Sequence, residues 1–179
     1  RSNTQRDSGM KQEYFDIYDE AGNRIGRALR SECHGNPALL HHTSHVVVFH
    51  PAGGRILLQK RSRSKDIQPG KWDTAVGGHL DAGEDYLPAA LRELREELGV
   101  TASAGELRHL FDSKIRNAVE SEDVRVYALR SAGPFRFQPE EIDEIRFWTA
   151  DELAGPENRE SFTPNLIAEL ALLREKGLL

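Results

Sequence analysis

Residues 78–100 read GHLDAGEDYLPAALRELREELGV, and the period of the chain changes inside this stretch. From residue 85 to residue 98, Leu87, Ala90, Leu91, Leu94 and Leu98 fall on one stripe at helical spacing, so a helix is expected there. Pro88 sits in its first turn, where a missing N–H is tolerated, and Gly99 supplies the stop. Glu93, Glu96 and Glu97 are spaced i, i+3 and i+4 and share a narrow arc away from the leucines. Like charges at that spacing destabilise a helix by roughly a few tenths of a kcal/mol per pair, which a bound divalent cation reverses. All-oxygen ligation suits a hard ion such as Mg²⁺ or Mn²⁺. On the helix alone, the same acids also fit a solvated face balanced by Arg92 and Arg95.

The spacing around the helix decides between these two readings. From Gly78, five residues lead to Glu84 and seven more to Arg92-Glu93-Leu94-Arg95-Glu96-Glu97-Leu98-Gly99-Val100. Seven fixed residues and two aliphatic positions, at about 7% each, meet by chance on the order of once in ten million in such a chain. The pattern resembles, at every position, the Nudix box of the Nudix hydrolase family. That resemblance implies an α/β/α sandwich around a mixed β-sheet, with the box helix presenting its acids to a metal-bound diphosphate. It also implies that Glu84 and Arg92 pair to orient the loop, and that Gly78, Glu84, Arg92 and Gly99 are structural. The chemistry makes independent sense. A diphosphate is highly anionic, so water attack needs cations to neutralise charge and a base to take the water's proton. Glu93, Glu96 and Glu97 are therefore expected to be both metal ligands and catalytic residues, with Mg²⁺ as cofactor and Mn²⁺ as its alternative.

Outward from the box, residues 14–18 alternate, Glu20-Ala21-Gly22-Asn23 supplies turn chemistry, and residues 24–29 extend again, which predicts an N-terminal β-hairpin. Residues 45–49 and 55–60 read as strands around the breaker Pro51-Ala52-Gly53-Gly54. A short strand is expected over 72–76, ended by Gly77-Gly78. Strands are expected over 107–115 and 124–129, with an acidic loop at 120–123, and over 142–148. Thr149 with Glu152 forms a capping box for a short helix. Thr163-Pro164 opens a last helix, with Leu166, Ile167, Leu170 and Leu173 on its stripe. The class is mixed α/β.

A second set of residues narrows the resemblance. The stretch Leu57-Leu58-Gln59-Lys60-Arg61-Ser62-Arg63-Ser64-Lys65, followed by Pro69-Gly70-Lys71-Trp72-Asp73, is similar to the Nudix branch holding isopentenyl-diphosphate isomerases and their hydrolase relatives. The likeness implies that Arg61 and Lys65 grip the substrate diphosphate, a task that suits a basic loop in an acidic protein. It also implies a second metal site, because His34, His41, His79, Glu120 and Glu122 match the isomerases' three histidines and two glutamates. The isomerase mechanism needs a cysteine and a tryptophan where this chain has Gly77 and Asn165, so hydrolysis is the expected reaction. Cys33 lies outside the matching position and reads as a packed small hydrophobe. An isomerase with divergent acid/base residues, or a silent nucleotide-binding module, remain the alternatives.

The rest of the composition is consistent with such an enzyme. The chain has 179 residues, enough for one domain, expected over 10–179. Residues 1–9, before the lone Met10, read as an expression-derived or disordered extension. Twenty-nine acids against 24 Lys and Arg give a net charge of −5, which repels a phosphate backbone and disfavours nucleic acid as a partner. No apolar run approaches the ~18–20 residues of a membrane helix. A single cysteine excludes an internal disulfide and a thiolate zinc cluster, and points to reducing cytoplasm. The expected partner is a small-molecule diphosphate; the oligomeric state is open, with a homodimer one option.

Overall fold

Alternation at the N-terminus folds into a hairpin: β1 (Tyr14–Tyr18) pairs antiparallel with β2 (Arg24–Leu29) through the turn in which Asp19 accepts from the Asn23 backbone N–H. The computed structural model describes residues 12–179, so the expectation for residues 1–9 lies outside the described residues. A one-turn helix α1 (Arg30–Cys33) then buries Cys33 against Phe15, Ile17 and Ala28.

The central strand is β3 (Leu40–Phe49), which begins five residues before the apolar run that announces it. Its polar start, Leu40-His41-His42-Thr43-Ser44, is held by neighbours on both edges. β6 (Val76–His79) pairs with it antiparallel, and β8 (Ser121–Arg130) pairs parallel from Leu40↔Ser121 to Phe49↔Arg130. β4 (Arg55–Arg61) lies antiparallel to both β5 (Trp72–Thr74) and β9 (Ile142–Thr149), while β7 (Arg108–Arg116) borders β8. Among the described residues they form, together with β1 and β2, one mixed sheet of nine strands.

Two sequence expectations are corrected here. The stretch 72–76 is not one strand: it breaks at the fully buried Ala75, with β5 serving β4 and β6 serving β3. Gly77 and Gly78 therefore lie inside β6 instead of ending a strand. The acidic segment 120–123 is not a loop, since Ser121, Glu122 and Asp123 already pair with β3 and only Glu120 precedes the strand. A parallel partner across 80 residues of sequence leaves no local signal, so the acids read as loop.

Helices cover both faces. The box helix α2 (Tyr86–Leu98) ends on Gly99, whose φ of 66° is the left-handed cap that glycine adopts without strain. Its Ala90, Leu94 and Leu98 pack on Val46, Val48 and Val76. Two short helices, α3 (Ala150–Leu153), with its Thr149/Glu152 capping box, and α4 (Asn158–Ser161), lead to α5 (Pro164–Glu175). There Leu166, Leu170 and Leu173 pack on Val47, Leu58, Trp72 and Trp148. Val46 and Val48 point to α2 while Val47 points to α5, the period of two that puts the helices on opposite faces of β3. Ile167 is 40% exposed, and its expected place on the α5 stripe is taken by the buried Glu169. Among the described residues, no helix is long and apolar enough to cross a membrane.

Candidate active site

On the α2 face, the side chain of Glu93 lies so close over Gly78 that a Cβ there would collide with it. Glu97 reaches the same strand from one turn further along, and its Oε2 accepts from the Gly77 backbone N–H at 3.1 Å. Glu96, at the same arc, is exposed. Arg92 holds the group in register. It donates twice to Glu84, at 2.9 and 2.8 Å, and once each to Glu93 at 2.7 Å, Glu96 at 3.2 Å and the His79 carbonyl at 3.1 Å. Burial works to raise Glu84, but the bonds from Arg92 and the Asp81 N–H bring it below its usual range. Glu93 and Glu97 go the other way. Burial raises both against the pull of Arg92 on Glu93, and burial followed by the neighbouring Glu93 charge pushes Glu97 up to about 8. Two enclosed carboxylates that repel each other favour a bound cation, and their oxygens are the donor set a hard divalent ion takes.

The basic loop between β4 and β5 stands beside these acids. Arg61 donates through Nε to the Ile67 carbonyl at 3.0 Å and lies 3.7 Å from Asp73, while Lys65 pairs with Glu141. Burial and then the Arg61 charge lower Lys65, with the charge of Glu97 opposing them.

A second cluster sits where β3, β6 and β8 meet. His41 pairs in register with Glu122, and Thr43 with His79, which brings His41, His79 and Glu122 together with ligand atoms within 4.8 Å of one another. His41 Nε2 is 3.4 Å from Glu122 Oε1, and His79 Nδ1 is 3.8 Å from it. Among the described residues neither nitrogen has a hydrogen-bond partner, although both are buried. Such orphaned nitrogens facing a carboxylate fit a metal ion better than they fit a protein core. Burial holds His79 down to about 4, in the neutral form a ligand needs. His41 is raised because Glu122 outweighs its burial, and Glu122 is lowered because His41 and His79 outweigh its own. Glu120 is half-buried beside Glu122 and Asn165, and burial followed by the Glu122 charge raises it. His34 lies outside the group of three, exposed, its ring edge-on to His79 at 5.8 Å.

Sequence reasoning did not single out a third constellation. His45 Nδ1 lies 2.7 Å from Glu169 Oε2, Thr74 Oγ1 donates to Glu169 Oε1 at 2.7 Å, and Thr163 Oγ1 donates to Asp73 at 3.0 Å. The signal for His45 was its period of two with His41 and Thr43 along β3, and for Glu169 its place three residues after Leu166. Their partnership, 124 residues apart, had none.

The NUDIX domain family matches residues 40–170. An uncharacterized Nudix hydrolase of Yersinia pestis is 36% identical over 164 residues, covering 89% of this chain and 85% of that protein. An isopentenyl-diphosphate Delta-isomerase of Streptomyces avermitilis is 35% identical over 153 residues, covering 83% and 77%. The crystal structure of DR0079 from Deinococcus radiodurans superposes with a TM-score of 0.71 at 28% identity, covering 89% of this chain and 98% of that one.

Proposed function

This chain belongs to the Nudix hydrolase family, whose members act on diphosphate-containing substrates, and we propose that it cleaves a small organic diphosphate by water attack with Mg²⁺ or Mn²⁺ held by Glu93, Glu96 and Glu97. The observation that carries this reading is the packing of Glu93 and Glu97 on Gly78 and Gly77, which encloses two neighbouring carboxylates with Arg92 bonded to Glu93 at one edge. A divalent ion there supplies charge neutralisation and an acidified water. One of the same three carboxylates takes the water's proton, Arg92 and Glu84 keep the loop and helix aligned, and Arg61 and Lys65 exchange their present partners for diphosphate oxygens.

His41, His79 and Glu122 are proposed to hold a second metal, with Glu120 and His34 at the rim of that site. Metal analysis of the purified protein tests this: His41→Ala and Glu96→Gln each lose metal, and the double variant loses more than either alone, if the two sites are separate. Equal metal content in wild type and His41→Ala removes the second site from the proposal. The lone Cys33 is in keeping with a reducing cytoplasm.

The deciding experiment measures phosphate or phosphomonoester release from isopentenyl diphosphate, nucleoside diphosphates and dinucleotides, with and without Mg²⁺. Mg²⁺-dependent release from at least one is expected; none from any would overturn the hydrolase reading. Isomerisation is disfavoured by Gly77, which has no side chain to carry the proton an alkene requires.

A further inference from the structure

A charged pair with no part in the roles above lies under Gly77. His45 and Gly77 are directly opposed across β3 and β6, so their Cα substituents share one face of the sheet. Gly77 has none, and the ring edge of His45, Cδ2 and Nε2, comes 3.2 Å from where a Cβ would stand. The opposite ring nitrogen is tied to Glu169, and Glu169 in turn is tied by the Thr74 hydroxyl. One nitrogen is thus fixed by a carboxylate that is itself fixed, and the other is aimed into the space Gly77 leaves open. The same ring also lines a cleft of about 280 Å³, together with Glu169, Asn165, Lys114 and Arg116. Burial of the ring is outweighed by Glu169, which keeps His45 up at about 9, so Nε2 carries a proton at neutral pH.

As a stabilising device the pair is weak, because a buried ion pair replaced by packed hydrophobic residues is often neutral or better. Glu169 stands beside Leu166, Leu170 and Leu173, a setting in which hydrophobic residues could replace both members of the pair. What leucine cannot do is offer a fixed donor. A hydrocarbon group seated against Nε2 strips its solvent and returns nothing, whereas a substrate oxygen restores the bond.

Resting on the hydrolase reading, we propose that His45, held by Glu169 and Thr74, is a specificity residue whose Nε2 hydrogen-bonds an oxygen on the group attached to the diphosphate. The chain thereby selects a hydroxyl-bearing group over a hydrocarbon one. The neighbouring Asn165 lines the same cleft, with Glu120 bonded to it.

The test compares kcat/KM for ADP-ribose and isopentenyl diphosphate in wild type, in His45→Leu/Glu169→Leu and in His45→Gln. The double variant removes both charges, so neither is left unpaired in the core. Wild type is expected to favour ADP-ribose by at least ~100-fold, and the double variant to lower that ratio at least ~10-fold. His45→Gln gives a reduced ratio as well, and stands in should the double variant fail to fold. A binding measurement needs no turnover: the His45 imidazole NMR signal, assigned by its loss in His45→Gln, shifts with ADP-ribose and not with inorganic diphosphate. A wild type that prefers isopentenyl diphosphate, a ratio unchanged in folded variants, or an imidazole signal indifferent to ADP-ribose overturns the assignment. Failure of the hydrolase reading looks different, since wild type then releases neither phosphate nor a phosphomonoester from any diphosphate.

Discussion

The side chain of Glu93 occupies the space over the Cα of Gly78 that any Cβ at that position would need. Glycine is required there by α2 packing on β6, even though the residue's backbone is ordinary strand. Gly78→Ala is therefore expected to push Glu93 off the strand, lower turnover at least ~10-fold and raise the Mg²⁺ concentration needed for half-maximal rate. Adding Glu93→Gln to it should bring little further loss, because both act on one interaction. Wild-type Mg²⁺ dependence in Gly78→Ala would detach Glu93 from the metal.

Glu97 links stability to pH in the metal-free protein. Its folded value of about 8 stands above the ordinary 4.5, so its contribution is present in full at low pH and is lost as pH rises through about 8. A cation at the site opposes that loss by binding the ionised folded form. The melting temperature should gain more from Mg²⁺ at about pH 9 than at about pH 6, and Glu97→Gln should erase the difference. The same variant and Glu96→Gln should each lower turnover at least ~100-fold with the fold intact. A melting temperature indifferent to Mg²⁺ at both pH values would count against the metal assignment.

Arg61 and Lys65 are expected to act in binding. Each gives up an exposed or half-exposed intramolecular partner, Asp73 or Glu141, for a charge-assisted bond to diphosphate. Arg61→Ala and Lys65→Ala should mainly raise KM, each by roughly 1.5–3 kcal/mol, or about 10–150-fold. Unchanged KM in both would reduce the loop to a solvated surface.

What could be read in the sequence was what local spacing encodes. The box helix, its Gly99 cap and the Thr149/Glu152 and Thr163 caps depend on residues within a few positions of one another, and all stand where expected. The N-terminal hairpin is equally local. Glu122 reads as loop because its strand is defined by a parallel partner, His41, far away in the chain. Glu169 carries no signal of its own, because an acid on an apolar stripe reads as an interruption until the facing His45 is known. Ile167 reads as a core position by its neighbours Leu166 and Leu170, yet it lies at the edge of the stripe and is 40% exposed.

The last prediction separates hydrolysis from isomerisation. An isomerase must add and remove a proton at the allylic positions through an exchangeable group, so it would carry solvent deuterium into isopentenyl diphosphate. At position 77 this chain offers only backbone, and at position 165 it has Asn, whose neighbours are Glu120 and the polar cleft. No deuterium incorporation is expected. Gly77→Cys would return a thiol, but its Cβ would already press on the His45 ring at 3.2 Å, and Glu169 on the far side of that ring blocks retreat. The thiol would also meet a protonated imidazole in place of an apolar wall, which favours thiolate over the neutral acid an alkene needs. Gly77→Cys is accordingly expected to remain inactive as an isomerase and to lose hydrolytic turnover as the Gly77 N–H shifts away from Glu97. Mass spectrometry of isopentenyl diphosphate incubated in deuterated solvent reads both outcomes, and clear exchange by the natural sequence would hand the acid's role to another residue and overturn the hydrolase assignment.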